Sequence, residues 1–374
     1  MKKLSQKIRN ISQYAGDVAK LSLFGTFGLP HITPAPESMK IVMTNRCNAR
    51  CISCSYWKNA ESKELSTEEI RTAIAQAKEV GVTSILFYGG EPLLRSNIFE
   101  LIAYTRKLGL KATIISNGLL LDEKKAEALV KSGISHITIS IHGNEQIHDQ
   151  VMGKKGAYDK AVNGAKLVKK YWEQFRKEEK LPLMINALLM KPTLNLESII
   201  SVVDLCRELG AEFGLNILDP KVPYFDIEGI DKLWLDEHDI TLLESLFQRL
   251  LDIADREPHL VEGNKILFDL IGAYFKDHNS NSVPCNQGFF GPIFLDSTGD
   301  VHACSVLKPL GNIREKSLQE IVRSKEWQKR AEDMYRLKCP KCLCGFPTRI
   351  TYHMPSYWKE LASRLVRMRF SRFN

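Results

Sequence analysis

Lys40-Ile41-Val42-Met43-Thr44-Asn45-Arg46-Cys47-Asn48-Ala49-Arg50-Cys51-Ile52-Ser53-Cys54 takes an apolar, strand-like run directly into three cysteines spaced CxxxCxxC. Three thiols so close in sequence surround one metal centre once the loop folds back, and Asn45, Arg46 and Asn48 suit a polar loop. Three protein ligands with no local fourth describe a site with one open position. On an iron–sulfur cluster, whose usual ligands are Cys thiolates, an open iron binds a reactant. Zinc is the rival, although its motifs usually pair CxxC units with a second pair or with histidines. Three unrelated buried cysteines are the plain alternative, and their density argues against it.

The same junction of apolar strand and polar turn recurs along the chain. Ser84-Ile85-Leu86-Phe87-Tyr88 reads as a buried strand that stops at Gly89-Gly90-Glu91-Pro92. Ala112–Ile115 ends in Ser116-Asn117-Gly118, and His136–Ile141 ends in His142-Gly143. Met184–Leu189 and Phe213–Leu218 bring the strands to six. Helical patterns lie between them: one opened by the capping box Ser66-Thr67-Glu68-Glu69 and running to Val80, then Ile98–Leu108, one capped by Asp122, Tyr158–Trp172 and Glu197–Leu209. Six βα units imply an α/β fold with a parallel sheet, open or curved into a partial barrel. The glycine-rich turns follow strand C-termini, where such folds place their active sites.

With 374 residues, 44% hydrophobic and 26% charged, the chain can bury a full core and a second, smaller unit. Nine cysteines, an odd number, argue against a disulfide framework. Eight fall into two groups, Cys47/Cys51/Cys54 and Cys285/Cys304/Cys339/Cys342/Cys344, while Cys206 reads as a small core residue in a helix. That usage points to a reducing, cytoplasmic compartment and to metal chemistry. No run approaches the roughly 18 apolar residues of a membrane span.

Six Lys/Arg against two acids in residues 1–40, and five against one in 351–374, account for the whole net charge of +8. The neutral body, with no basic stripe interleaved with aromatics, argues against nucleic acid as a partner. Both tails are amphipathic: Leu4, Ile8, Ile11, Val18 and Leu21 in front, and Leu361, Leu365 and Met368 among Arg364, Arg367, Arg369 and Arg372 behind. They read either as cap helices packed on the core or as peripheral contacts with anionic membrane at its inner face. A signal peptide is not supported, because the apolar stretch lies too far in and holds Gly25 and Gly28.

CxxxCxxC after the first strand, Gly89-Gly90-Glu91-Pro92 after the second, Ser116-Asn117-Gly118 after the third and Ser140-Ile141-His142-Gly143 after the fourth resemble the radical S-adenosylmethionine (SAM) enzymes. The resemblance covers residues 38–218 and implies a partial (βα)6 TIM-like barrel. It implies a 4Fe-4S cluster on Cys47, Cys51 and Cys54, with SAM on the fourth iron. An electron from a flavodoxin- or ferredoxin-type donor then cleaves SAM to methionine and a 5′-deoxyadenosyl radical, which abstracts hydrogen from substrate. Gly89 and Gly90 allow close backbone approach to SAM, and Pro92 stiffens their turn. Tyr56, Gly89, Gly90, Glu91, Pro92, Asn117 and Ser140 are the expected cofactor contacts. An ordinary tight turn is the plain reading of Gly-Gly-Glu-Pro alone, and packing under the loop that of Tyr56 and Trp57.

The chain departs from the family pattern in three places. Ser53 stands where an aromatic is common, and His142 where related Ser-x-Asp-Gly sequences have an acid. His148-Asp149-Gln150-Val151-Met152-Gly153 lacks the arginine of the family's His-Asp-x-x-Arg-Gly, leaving the contact with the SAM carboxylate to Lys154 or to a residue elsewhere.

Beyond a helical connector, 221–280, the second cysteine group resembles the auxiliary-cluster extensions of the SPASM and twitch type. An apolar hairpin, Pro292–Leu295 and Val301–Ala303, brings Cys285 and Cys304 together, and a helix over Ser317–Arg330 leads back to the last cysteines. The resemblance implies one auxiliary iron–sulfur cluster, of 4Fe-4S type, on Cys285, Cys304, Cys339 and Cys342, with Cys344 as spare or alternative ligand. A structural zinc knuckle is the other reading.

The expected regions are thus 1–37 (basic segment), 38–220 (barrel), 221–280 (connector), 281–350 (a small α+β cluster-binding extension) and 351–374 (basic tail). Relatives with such extensions modify peptides or oxidise small molecules. The first 37 residues are too short for a peptide-recognition domain, which favours a small-molecule, sugar or lipid-linked substrate over a peptide. An iron–sulfur electron carrier or sensor is the reading from another class, and has no need of a SAM pocket. The candidates for a general base are Asp219, Asp226 and Glu228.

Overall fold

The computed structural model describes residues 33–59, 63–225, 227–262, 265–277 and 284–343. Most of both basic tails, Asp226 and Cys344 lie outside them.

Six strands, β1 (Ser38–Val42), β2 (Ser84–Tyr88), β3 (Lys111–Ser116), β4 (His136–Ser140), β5 (Leu183–Leu189) and β6 (Glu212–Ile217), pair in parallel in chain order. Their period-two alternation sets the two faces of the sheet. In β2, Ile85 and Phe87 are fully buried on one face, while Leu86 and Tyr88 on the other are half-buried. The buried face is covered by the helices α1 (Thr67–Glu79), α2 (Ile98–Lys107), α3 (Glu123–Lys131), α5 (Ala157–Phe175) and α6 (Leu196–Leu209), whereas the short α4 (Glu145–Met152) packs against the loop after β1. The expected capping box is present: the Ser66 side chain accepts from the Glu69 N–H, and the Glu69 carboxylate accepts from the Ser66 N–H. Asp122 caps α3 as expected, accepting from the Lys125 N–H at 2.8 Å.

The parallel sheet does not close on itself. In place of β6, β1 takes as its other neighbour β7 (Ile293–Leu295), in parallel, with Lys40 opposite Phe294. Antiparallel β8 (Asp300–His302) and β9 (Gly311–Asn312) follow, giving the order β6-β5-β4-β3-β2-β1-β7-β8-β9. The C-terminal extension therefore continues the barrel's own sheet. Among the described residues between β6 and β7 lie short 3-10 turns and three helices, α7 (Ile240–Arg256), α8 (Lys265–Lys276) and α9 (Gln287–Phe290). Leu243, Leu246, Phe247, Leu250 and Ile253 form the buried stripe of α7, at the spacing of a helix with one apolar face.

Beyond α9 (Gln287–Phe290), the helix expected over Ser317–Arg330 is two helices. α10 (Leu318–Val322) stops at Arg323, and Ser324 caps a new helix, α11 (Lys325–Tyr335), by accepting from the Trp327 N–H at 3.1 Å. The break lets Trp327 bury its ring and donate its indole N–H to the Gly288 carbonyl at 2.9 Å. Among the described residues no helix is long and apolar enough to cross a membrane.

Two glycines mark opposite limits of tolerance. A Cβ on Gly90 would meet the Arg46 carbonyl and lie 2.8 Å from the Asn45 carbonyl oxygen, whereas one on Gly272, inside α8, meets nothing. Gly272→Ala is expected to stabilise the protein by about 0.5–1 kcal/mol, seen as a raised Tm. Gly90→Ala is expected to displace the cysteine loop, seen as iron lost after reconstitution.

Candidate radical SAM active site

The cysteine loop is held from three sides. From β2, the Gly90 N–H donates to the Thr44 carbonyl at 2.7 Å and the Glu91 N–H to the Arg46 carbonyl at 2.9 Å. From the C-terminus of α4, the Met152 and Val151 carbonyls accept from the Arg50 and Ile52 N–H groups at 3.1 and 3.0 Å. Gly153, at φ 59°, ends α4 so close that a Cβ would lie 2.5 Å from the Arg50 carbonyl oxygen. From β3, the Asn117 amide donates to Asn48 Oδ1 at 2.7 Å and lies 3.7 Å from Cys47 Sγ.

Cys47, Cys51 and Cys54 thereby line one pocket. Burial pushes the Cys54 thiol up to about 11, and pushes Cys51 and Cys47 up as well. The neighbouring cysteines add to the rise at Cys51. Such thiols stay protonated until a metal takes them as thiolates and releases the protons. No group of three Cys, His, Asp or Glu among the described residues is placed to hold a single ion. A 4Fe-4S cluster takes each thiolate at a separate iron, so three thiols spread around a pocket fit it.

Of the expected SAM contacts, Tyr56, Gly89, Gly90, Asn117 and Ser140 line this pocket with the cysteines. Tyr56 is committed twice: its ring stacks on Tyr224 at 5.3 Å, and its hydroxyl bonds that of Tyr88. Glu91 and Pro92 stand behind the wall instead, both buried. The Glu91 side chain has no exposed surface and accepts from Leu93 N–H (3.0 Å), Ser116 Oγ (2.9 Å) and Asn117 N–H (2.8 Å). It fastens the second strand's turn to the third's.

Five residues near the cysteines have geometry that the sequence motifs do not give. His142, two residues past β4, lines the pocket, and its Nδ1 accepts from the Leu188 N–H at 3.2 Å. Burial drives its pKa down to about 3, so it is a neutral imidazole carrying its proton on Nε2. His148 Nδ1 accepts from the His142 N–H at 3.1 Å, and the Asp149 carboxylate accepts from the Gly156 and Tyr158 N–H groups. The His-Asp-x-x-x-Gly signature is thus a brace behind the loop. Lys154 donates to the Asn48 carbonyl at 2.9 Å, inside the loop backbone. Met152 Sδ lies 3.6 Å from Cys51 Sγ, and nothing in the sequence motif signals that contact.

Among the base candidates, Asp219 is buried with both oxygens engaged, Glu228 is exposed, and Asp226 lies outside the described residues. Cys206 is fully buried, as expected of a core residue. Cys285, Cys304, Cys339 and Cys342 line a second pocket, walled by Phe294, Val306, Leu307 and Met334. Cys285 and Cys304, on either side of the β7–β8 hairpin, line this same pocket, and Cys344 is not described. Four thiols in an apolar pocket fit a fully ligated auxiliary cluster.

The radical SAM superfamily model matches residues 41–206, and that of the SPASM iron–sulfur cluster-binding domain matches 285–344. The chain belongs to the radical SAM superfamily, as an enzyme with a C-terminal SPASM region. Its cofactors are accordingly SAM, a 4Fe-4S cluster and an auxiliary iron–sulfur cluster.

It is 28% identical over 331 residues to the AdoMet-dependent heme synthase of Methanosarcina barkeri, covering 84% of this chain and 90% of that protein. It is 34% identical over 179 residues to the PqqA peptide cyclase of Gluconobacter oxydans, covering 47% of each. The structure of Streptococcus suis SuiB bound to S-adenosylmethionine shares the fold, with a TM-score of 0.63 at 21% identity over 87% of this chain and 72% of that one. That of anSMEcpe with bound AdoMet does too, with a TM-score of 0.61 at 20% identity over 81% and 83%.

Burial raises the Glu91 pKa from its ordinary 4.5 to about 7, against the pull of its three hydrogen bonds. Between those values the folded protein keeps a proton that the unfolded chain releases, so stability falls as pH rises from 4.5 to 7 and then levels. Glu91→Gln is expected to flatten that fall in Tm, and an unchanged slope would show that Glu91 does not titrate there.

Proposed function

We propose that this enzyme abstracts a hydrogen atom from a small molecule and completes an oxidation as the substrate radical passes an electron to the auxiliary cluster and releases a proton to solvent. The observation that carries the reading is the pair of cysteine pockets on one sheet: the first follows β1, and Phe294 of β7, paired with β1, walls the second. When bound, the first cluster and SAM supply a 5′-deoxyadenosyl radical. Cys47, Cys51 and Cys54 hold that cluster, Gly89 and Gly90 bring backbone close to SAM, and Asn117 fixes the first cysteine. His142 offers its Nε2–H to the pocket as a neutral donor. Cys285, Cys304, Cys339 and Cys342 fill the coordination of the second cluster, which leaves it to carry electrons rather than to bind substrate. A flavodoxin- or ferredoxin-type protein supplies the first electron.

The small-molecule class is supported by the relatives matched along most of their length, which are heme synthases, whereas the peptide cyclase matches over about half. A peptide substrate is the second reading, supported by the 34% identity to the peptide cyclase over that half.

Anaerobic release of 5′-deoxyadenosine from SAM by the reduced, reconstituted protein tests the proposal, with fractionated cell extract added in parallel. Release is expected to require the three cysteines, to vanish in the Cys47/Cys51/Cys54→Ala variant, and to rise with a fraction of soluble small molecules. Stimulation by a peptide fraction alone would transfer the assignment to the second reading. No release from protein with verified, reducible clusters would contradict both.

A further inference from the structure

One short segment touches both cysteine loops. Asp219, just past β6, is 2% exposed. Its Oδ1 accepts from the Lys221 N–H at 3.0 Å and from the Tyr274 hydroxyl of α8 at 3.1 Å. Its Oδ2 accepts from the Leu343 N–H at 2.7 Å, and Leu343 directly follows Cys342. The Asp219 carbonyl accepts from the Val222 N–H at 3.0 Å, starting a turn in which the Phe225 N–H donates to the Val222 carbonyl at 2.9 Å. At the far end of that turn, the Tyr224 carbonyl accepts from the Ser55 N–H at 2.8 Å and from Ser55 Oγ at 3.2 Å. Ser55 directly follows Cys54, and the Tyr224 ring stacks on Tyr56, a wall of the SAM pocket.

The segment 219–225 thus grips the second cysteine group at one end and the first at the other. It is stiff in between. Val222 and Phe225 are buried in a cluster with Val151 of α4 and Leu188 of β5. Val306, a wall of the auxiliary pocket, packs against that same cluster.

We propose that Asp219 is the positioning residue of the auxiliary-cluster loop, and that segment 219–225 is a bracket coupling that loop to the SAM pocket. The inference rests on the cluster assignments proposed above. With both oxygens occupied by donors from three parts of the chain, Asp219 holds rather than reacts. A bracket that fixes Tyr224 against Tyr56 only when the Cys342–Leu343 backbone is in place makes SAM affinity depend on the auxiliary site. By linkage, the dependence runs both ways.

The test compares SAM dissociation constants and the auxiliary cluster's EPR signature across variants of the reconstituted full chain. Asp219→Ala is expected to alter that signature and to weaken SAM binding about five-fold or more. Asp219→Asn, which keeps one acceptor oxygen, is expected to recover part of both. Cys339→Ala/Cys342→Ala, with Asp219 intact, is expected to weaken SAM binding comparably. Adding Asp219→Ala to that pair is expected to cost nothing further, because both changes act through one bracket. SAM affinity within about two-fold of wild type in the auxiliary-cysteine variant, additive losses in the combination, or an unaltered signature in Asp219→Ala would each overturn the proposal. Wild-type protein that loads both clusters and binds SAM but releases no 5′-deoxyadenosine would contradict the enzymatic reading and leave this coupling standing.

Discussion

The Glu91 carboxylate is the constraint on which the radical SAM site depends. It is buried with no cationic partner among the described residues, and its stability rests on three donors: the Leu93 N–H within its own turn, and Ser116 Oγ and the Asn117 N–H from the next strand end. Its own N–H meanwhile donates to Arg46, the residue before the first cysteine. One residue therefore sets the spacing of three strand ends. That spacing brings the Asn117 amide to Asn48 and Cys47, and Gly89 and Gly90 to the pocket wall. A carboxylate confined in this way is poorly placed to be a ligand, and effective as the pin of a pocket whose wall is largely backbone.

The second constraint is the parallel pairing of β7 with β1, which hangs the auxiliary pocket on the strand that feeds the radical SAM loop. A separate cluster domain on a flexible connector would leave the distance between two redox centres to chance. Here the sheet fixes it on one side, and the turn that begins at Asp219 ties the two cysteine loops on the other. The arrangement suits an enzyme in which one centre starts a radical and the other takes an electron from it.

Much of this was legible in the sequence, for physical reasons. β1 to β6 announce themselves because each is an apolar run stopped by a polar, glycine-rich turn, and those stops are where the pocket forms. The capping box at Ser66 and the cap at Asp122 are local chemistry and read directly. The pairing of β7 with β1 is not local: the partners lie far apart in the chain, and three-residue strands carry too little alternation to reveal a neighbour. Helix α4 is short and masked by its motif, and its service as a backing plate for Arg50 and Ile52 emerges only in three dimensions. The Ser317–Arg330 pattern concealed a break because Ser324 reads equally as a tolerated helix residue and as a cap. Glu91 and Asp219 show the same limit. A sequence identifies a carboxylate beside a site and does not say whether it faces ligand or backbone donors.

On the proposed reading, Cys47, Cys51 and Cys54 hold a cluster with one iron open to SAM. EPR of the reduced, reconstituted protein before and after addition of SAM tests it most directly. Two overlapping signals are expected, one of which changes when SAM binds and disappears when those three cysteines are replaced, while the other persists. A spectrum indifferent to SAM, from protein with both clusters verified, would contradict it.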